Sequence, residues 1–257
     1  MANNPRHLRP QLTSIYSFLD FYANSMKKNG KNVFCFQVGA NDGRTNDPVH
    51  KYFRDYGWKG LLVEPQADVF NNELIKTYAN NKNVILENVA LGKEEGQLSF
   101  YRVAISKARW ATGLSSFDKK SLEGHIENGY IQRKAKDEGV EIPSDLSKLI
   151  EEVKVPTMKI DGLLDKHHIE SFNFLCIDTE GYDFEVIKLI DLKKTHPEVI
   201  LFESKNLSDK DFIEAKELLT SLGYTLFWEK GDTLAIKYEY PLPVKLMHKV
   251  KAFIRKL

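Results

Sequence analysis

Residues 33–48 read VFCFQVGANDGRTNDP, and residues 60–65 read GLLVEP. Apart from Gln37 (and Cys35, which packs as a small hydrophobe), positions 33–38 are β-branched or aromatic, the pattern of a short strand buried on both faces. The run leads directly into Gly39-Ala40-Asn41-Asp42-Gly43. Glycine here removes the Cβ that would hold backbone away from a ligand and permits a positive φ. Asn41, in the middle, is one of the few non-glycine types that visit the left-handed region readily. A second apolar strand, residues 61–63, ends in Glu64-Pro65. Gly43 and Glu64 are separated by roughly the 20 residues that separate a glycine turn from the ribose-binding acid in dinucleotide folds.

A strand, a glycine turn, a helix, a strand and a terminal carboxylate describe a nucleoside site. No GxxxxGK[ST] is present, and the turn is not GxGxxG, so nothing clearly seats a pyrophosphate. Asp42 adds a carboxylate beside the turn, which suits a ligand carrying ammonium or sulfonium better than one carrying phosphates. That favours S-adenosylmethionine over NAD. The competing reading is a tight strand–helix turn with no ligand.

The blocks FQVGANDG, GLLVEP, NVILENVALG, VPTMKIDGLL, FNFLCIDTEGYDFEVI, PEVILFE and LGY follow in order between residues 33 and 237. Together they resemble the FkbM family of S-adenosylmethionine-dependent O-methyltransferases. The resemblance implies a class I methyltransferase fold, a Rossmann-like α/β sheet that is mostly parallel with a C-terminal antiparallel hairpin. It implies cofactor contacts from Gln37, Gly39, Ala40, Asn41, Asp42, Gly43, Glu64, Pro65, Asn88, Ala90 and Asp178. The family usually has an acid where this chain has Gln37, so an amide replaces the carboxylate expected at the methionine end. The segment around Asn88 and Ala90 borders the adenine in the resembling family.

Length and composition agree with one decorated domain. The chain has 257 residues, 42% of them hydrophobic and 28% charged, as in ordinary soluble proteins. A formal charge of +1 gives no global pull toward nucleic acid, and no basic-aromatic groove stands out. Cys35 and Cys176 lie inside apolar runs, as packed reduced thiols would. With no apolar signal core near the N-terminus, a cytoplasmic enzyme is expected.

Three regions divide the chain. Residues 1–32 form a helical cover, with a helix over 12–28 lying on a flank of the sheet; a homodimer contact is its alternative role. Residues 33–240 form the methyltransferase domain. Within it, 104–152 is expected as a lid or acceptor-binding insertion between core strands, because a segment this long is seldom idle. Arg109, His125 and Arg133 are its candidate acceptor contacts. Residues 241–257 make a basic amphipathic tail, and 245–257 would suit peripheral contact at the inner face of a membrane.

Alternating strands and helices predict a parallel sheet with right-handed crossovers. Ligands then bind beyond the carboxyl ends of the strands. The glycine turn, Glu64, Asn88, Asp178 and Glu203 all fall at such ends. Methyl transfer to a hydroxyl needs the oxygen held in line and a group to take its proton. Asp178 and Glu180 are the catalytic candidates. No metal is expected, and the alternative is a divalent ion on Asp178, Glu180 and Glu203, whose oxygens suit Mg²⁺. The expected acceptor is a sugar hydroxyl in a glycan or glycolipid. A small-molecule natural product, or a non-catalytic module that only binds the cofactor, are the alternatives.

Overall fold

Residues 14–237 are described by a computed structural model. The segment expected to open the first helix before Ser14, and the tail over 241–257 with its membrane contact, lie outside the described residues. Among the described residues no helix is long and apolar enough to cross a membrane.

Strand β1 (Phe34–Val38) has the central place its apolar run predicts, bonded in parallel to β2 (Lys59–Val63) on one side and to β7 (Phe174–Ile177) on the other. In chain order the remaining strands are β3 (Val84–Glu87), β4 (Ala90–Leu91), β5 (Gly96–Val103), β6 (Ile150–Met158), β8 (Val199–Glu203), β9 (Tyr224–Glu229) and β10 (Asp232–Lys237). The main sheet runs β3-β2-β1-β7-β8-β10-β9. Its interior pairs are parallel, while β10 lies antiparallel to both β8 and β9. This is the class I methyltransferase arrangement with its closing hairpin.

Two apolar layers hold the sheet. Phe36 and Val38 face helices Ile160–Lys166, Asp183–Leu189 and Asp209–Ser221. Cys35 faces the helix Ile15–Lys28, which buries Phe18, Leu19, Tyr22 and Met26 against Tyr52, Trp58 and Phe174. Ser14 caps that helix by accepting from the Tyr16 amide. Cys35 and Cys176 are both free and buried, and burial pushes each thiol well above its ordinary value.

The structure corrects one expectation about the insertion. The strand over Ile150–Met158 does not join the main sheet. It pairs with β4 and β5 in a separate three-stranded sheet. The insertion is therefore threaded out of a β-ribbon rather than strung between core strands, and Val103 pairs directly with Ile150 where it leaves and returns. It carries its own small core of Val103, Ala111, Leu114, Leu122, Ile131 and Leu149. Helices Arg109–Thr112, Lys119–Glu127 and Tyr130–Asp137 lie within it, and Pro143 falls in the irregular stretch that follows them.

Candidate active site

The carboxyl edge of the main sheet gathers the strand tips. The Gly39 and Ala40 amides donate to the Val63 carbonyl (3.0 and 3.1 Å), the Asp178 amide to Val38 (3.0 Å) and the Glu64 amide to Glu87 (3.1 Å). The ladder thus runs to its last residue, fixing the side chains beyond it. Gly39 has φ 81°, and a Cβ there would stand 1.9 Å from the Asp178 carbonyl oxygen. The close approach of the backbone at Asp178, just past β7, by itself demands a glycine here. Asn41 adopts φ 47°, the left-handed conformation expected of it.

Glu64 is 2% exposed and organises the turn. Its Oε2 accepts from the Asn41 amide (2.8 Å), and its Oε1 from the Gln66 amide (2.8 Å) and Nε2 (3.2 Å). Burial pushes its carboxyl up, and those donors pull against it. Gly39, Asn41, Glu64, Pro65, Ala90, Asp178 and Glu180 all line one cleft.

The five remaining expected cofactor contacts do not line it. Gln37 follows the alternation of a strand and turns to the face opposite Val38, where Nε2 donates to Asp47 (2.8 Å) and Oε1 is buried with no hydrogen-bond partner among the described residues. Asn88 reaches back to the Glu64 carbonyl (2.8 Å) and braces that strand end. Ala40 is buried in the core behind the turn. Gly43 packs so closely on Leu74 and Tyr78 that a Cβ would lie 2.6 Å from each. Asp42 caps its own loop. It accepts from the Arg44 and Thr45 amides (2.9 and 2.8 Å) and lines a neighbouring cavity. Burial works against its charge, but those donors prevail and hold its carboxyl below the usual range.

The cleft is narrow, about 50 Å³, because the insertion leans across it. The Thr112 carbonyl accepts from Asn41 Nδ2 and Gln66 Nε2 (both 3.1 Å). Ser115 Oγ donates to Gln66 Oε1 (3.0 Å), and Ser116 Oγ donates to the Glu180 carbonyl (2.9 Å). Beside it opens a larger cavity of about 720 Å³. Sheet acids Asp178, Glu180, Glu203 and Asp232 line it from one side, and Trp110, His125, Tyr130 and Lys134 of the insertion also reach it. Arg133 does not. It turns back to the Asn128 carbonyl (2.8 Å) beside its own helix.

Asp178, Glu180 and Glu203 each bring a carboxylate oxygen within 4.8 Å of the others. Asn206 Nδ2 bridges Glu180 and Glu203 at 2.8 Å each, and Lys205 pairs with Glu203. A divalent ion there would compete with Lys205. Burial, reinforced by Glu203, pushes the Asp178 carboxyl up; burial, then Glu203 and Asp178, does the same to Glu180. Glu180 itself sits at φ 51°, before Gly181 at φ 100°.

That strained turn is held from below by Asp183, which is fully buried. Its Oδ2 accepts from the Thr179 hydroxyl (3.0 Å) and from the Gly181 amide (3.3 Å). Asp183, Gln66, Lys205, Asn206 and Asp232 are site residues absent from the candidates that the sequence offers. Asp183 does open the helix Asp183–Leu189. Its spacing from Thr179 was the one sign in the sequence that it also ties down the turn before that helix.

The methyltransferase FkbM domain family matches residues 37–226. No curated protein matches. Among solved structures, an O-methyltransferase from Bacillus cereus in complex with SAH is 13% identical, with a TM-score of 0.43, 92% of this chain and 86% of that one being covered. The human methyltransferase 10 domain containing protein is 11% identical (TM-score 0.40, 90% and 85% covered). The SAH-bound Podospora anserina methyltransferase PaMTH1 is 9% identical (TM-score 0.43, 85% and 77% covered). Since the family match spans most of the chain, and the strand order is that of its fold, the chain belongs to the FkbM methyltransferase family.

Proposed function

We propose that the chain is an S-adenosylmethionine-dependent O-methyltransferase acting on a hydroxyl of a sugar in a glycan or glycolipid. The observation that carries this reading is the junction of two spaces. The narrow cleft holding Gly39 and Glu64 and the wide cavity holding Trp110 and Tyr130 share Asp178 and Glu180 in their linings. A donor in the first and an acceptor in the second would meet at those carboxyls.

The residues of the cleft fit the cofactor chemically. Glu64 offers acceptor lone pairs for ribose hydroxyls, while Val63, Val89 and Leu91 supply apolar walls for a base. When bound, the cofactor supplies a methyl group made electrophilic by the adjacent sulfonium. The chain's own part is to orient the acceptor and receive its proton. Carboxyls raised toward neutrality are suited to accepting a proton at working pH. Asp178 and Glu180 repel each other when both are charged, so the pair holds a proton between them more readily than either would alone. The aromatic faces of Trp110 and Tyr130 suit the apolar face of a sugar ring.

The test is incubation with methyl-labelled cofactor and either cell-envelope glycans or small hydroxylated acceptors. Label in the glycan supports the reading, and label only in small acceptors replaces it with natural-product methylation. Cofactor binding without transfer to any acceptor leaves a binding module. In the same assay Asp178→Asn and Glu180→Gln are expected to depress turnover by about 100-fold or more, with cofactor affinity changed far less. Full turnover in both variants removes these carboxyls from the chemistry.

A further inference from the structure

Arg109 occupies a place that the sequence left to the acceptor. It begins the short helix Arg109–Thr112 of the insertion and lines both the narrow cleft and the wide cavity. Among the described residues lining the cleft it alone is cationic, and it shares that lining with Glu64, Asp178 and Glu180. Its charge is felt at Asp42, Glu64 and Asp178, on three different strand ends.

The guanidinium is poorly satisfied where it stands. Nη2 donates to the Thr45 carbonyl at 3.3 Å. Nε is buried with no hydrogen-bond partner among the described residues, and the nearest Asp42 oxygen is 3.8 Å away. Arginine presents five N–H donors in a planar fork matched to a carboxylate. The fork is seated on Gly113, where a Cβ would lie 2.1 Å from Nη1.

We propose that Arg109 binds the carboxylate of the cofactor's amino-acid end. The inference rests on the cofactor reading given above. S-adenosylmethionine carries three charged groups, a sulfonium, an ammonium and a carboxylate. The acids of the cleft complement the first two and repel the third. A cation is needed for the carboxylate, and Gln37, which the sequence placed at that end, points to the other face of the sheet. Because Arg109 belongs to the insertion, the assignment also ties the amino-acid end of the cofactor to the segment that covers it.

Calorimetry on the full chain tests this with two ligands, S-adenosylhomocysteine and decarboxylated S-adenosylmethionine. The second keeps the adenosine and the ammonium and lacks the carboxylate. Arg109→Met should weaken S-adenosylhomocysteine about 10-fold or more, the usual worth of a charge-assisted pair, and leave the decarboxylated ligand within about twofold. Gly113→Ala, which displaces the guanidinium without removing it, should reproduce that selectivity. Equal losses for both ligands overturn the proposal, as does unchanged binding of both with a raised KM for the acceptor. A wild-type chain that binds neither ligand removes the cofactor reading itself.

Discussion

Glu64 closes β2 with a buried carboxylate, one oxygen of which accepts from the Asn41 amide and the other from the Gln66 amide. Glu64→Ala therefore strands two buried donors, and we expect it to lower stability by about 1–3 kcal/mol for each as well as weaken cofactor binding. Glu64→Gln retains an acceptor oxygen and should lose less stability. Urea unfolding beside cofactor titration separates the two effects, and an alanine variant as stable as wild type would contradict the bracing role. The place of Glu64 at the end of β2 is legible from an apolar run closed by Glu-Pro, whereas its two amide contacts are not, because spacing does not show which amides point at it. For Gln37, period-two alternation already sets it opposite Val38, and the structure places it beside Asp47.

At the scale of elements, most of the main sheet was legible because its strands are short, apolar and followed by turn residues. The side sheet was not. A two-residue strand such as Ala90–Leu91 leaves no periodic signal, and an isolated apolar run does not reveal which sheet it joins. The insertion's hold on the cleft was equally hidden, since it depends on the Thr112 carbonyl meeting Asn41 and Gln66. A space of about 50 Å³ leaves little room for an adenosine, so the contacts that Thr112 and Ser115 make to Asn41 and Gln66 are expected to loosen when one binds. Hydrogen exchange should find residues 109–116 opening more readily than β1 or β7 in the free protein, and slowed on adding S-adenosylhomocysteine. Exchange in that segment indifferent to the ligand would contradict a covering role.

For the molecule as a whole, the clustered acids couple stability to pH. Burial, then Glu203, pushes Asp232 up to about 6, and burial pushes Asp183 well above the usual carboxylate range. A carboxyl whose folded pKa is raised binds its proton more tightly in the native state than in the unfolded chain. Its contribution is fully present below the unfolded value near ~4 and is lost as pH rises through the folded one. The ligand-free protein should therefore lose stability as the pH climbs from about 4 through about 6, and Asp232→Asn should flatten that decline. Thermal melts across the range check it, and a parallel slope in both proteins would exclude Asp232 as a source.

The ribbon that carries the insertion has one more implication. Val103 and Ile150 are paired, and the Ala104 amide donates to the Leu149 carbonyl at 2.9 Å, so departure and return are stitched together. A graft between those two points asks only a hairpin's width of the ribbon, but it must replace what Thr112, Ser115 and Ser116 give to Asn41, Gln66 and Glu180. The fold thus has a socket, and whatever is mounted in it becomes one wall of the donor cleft.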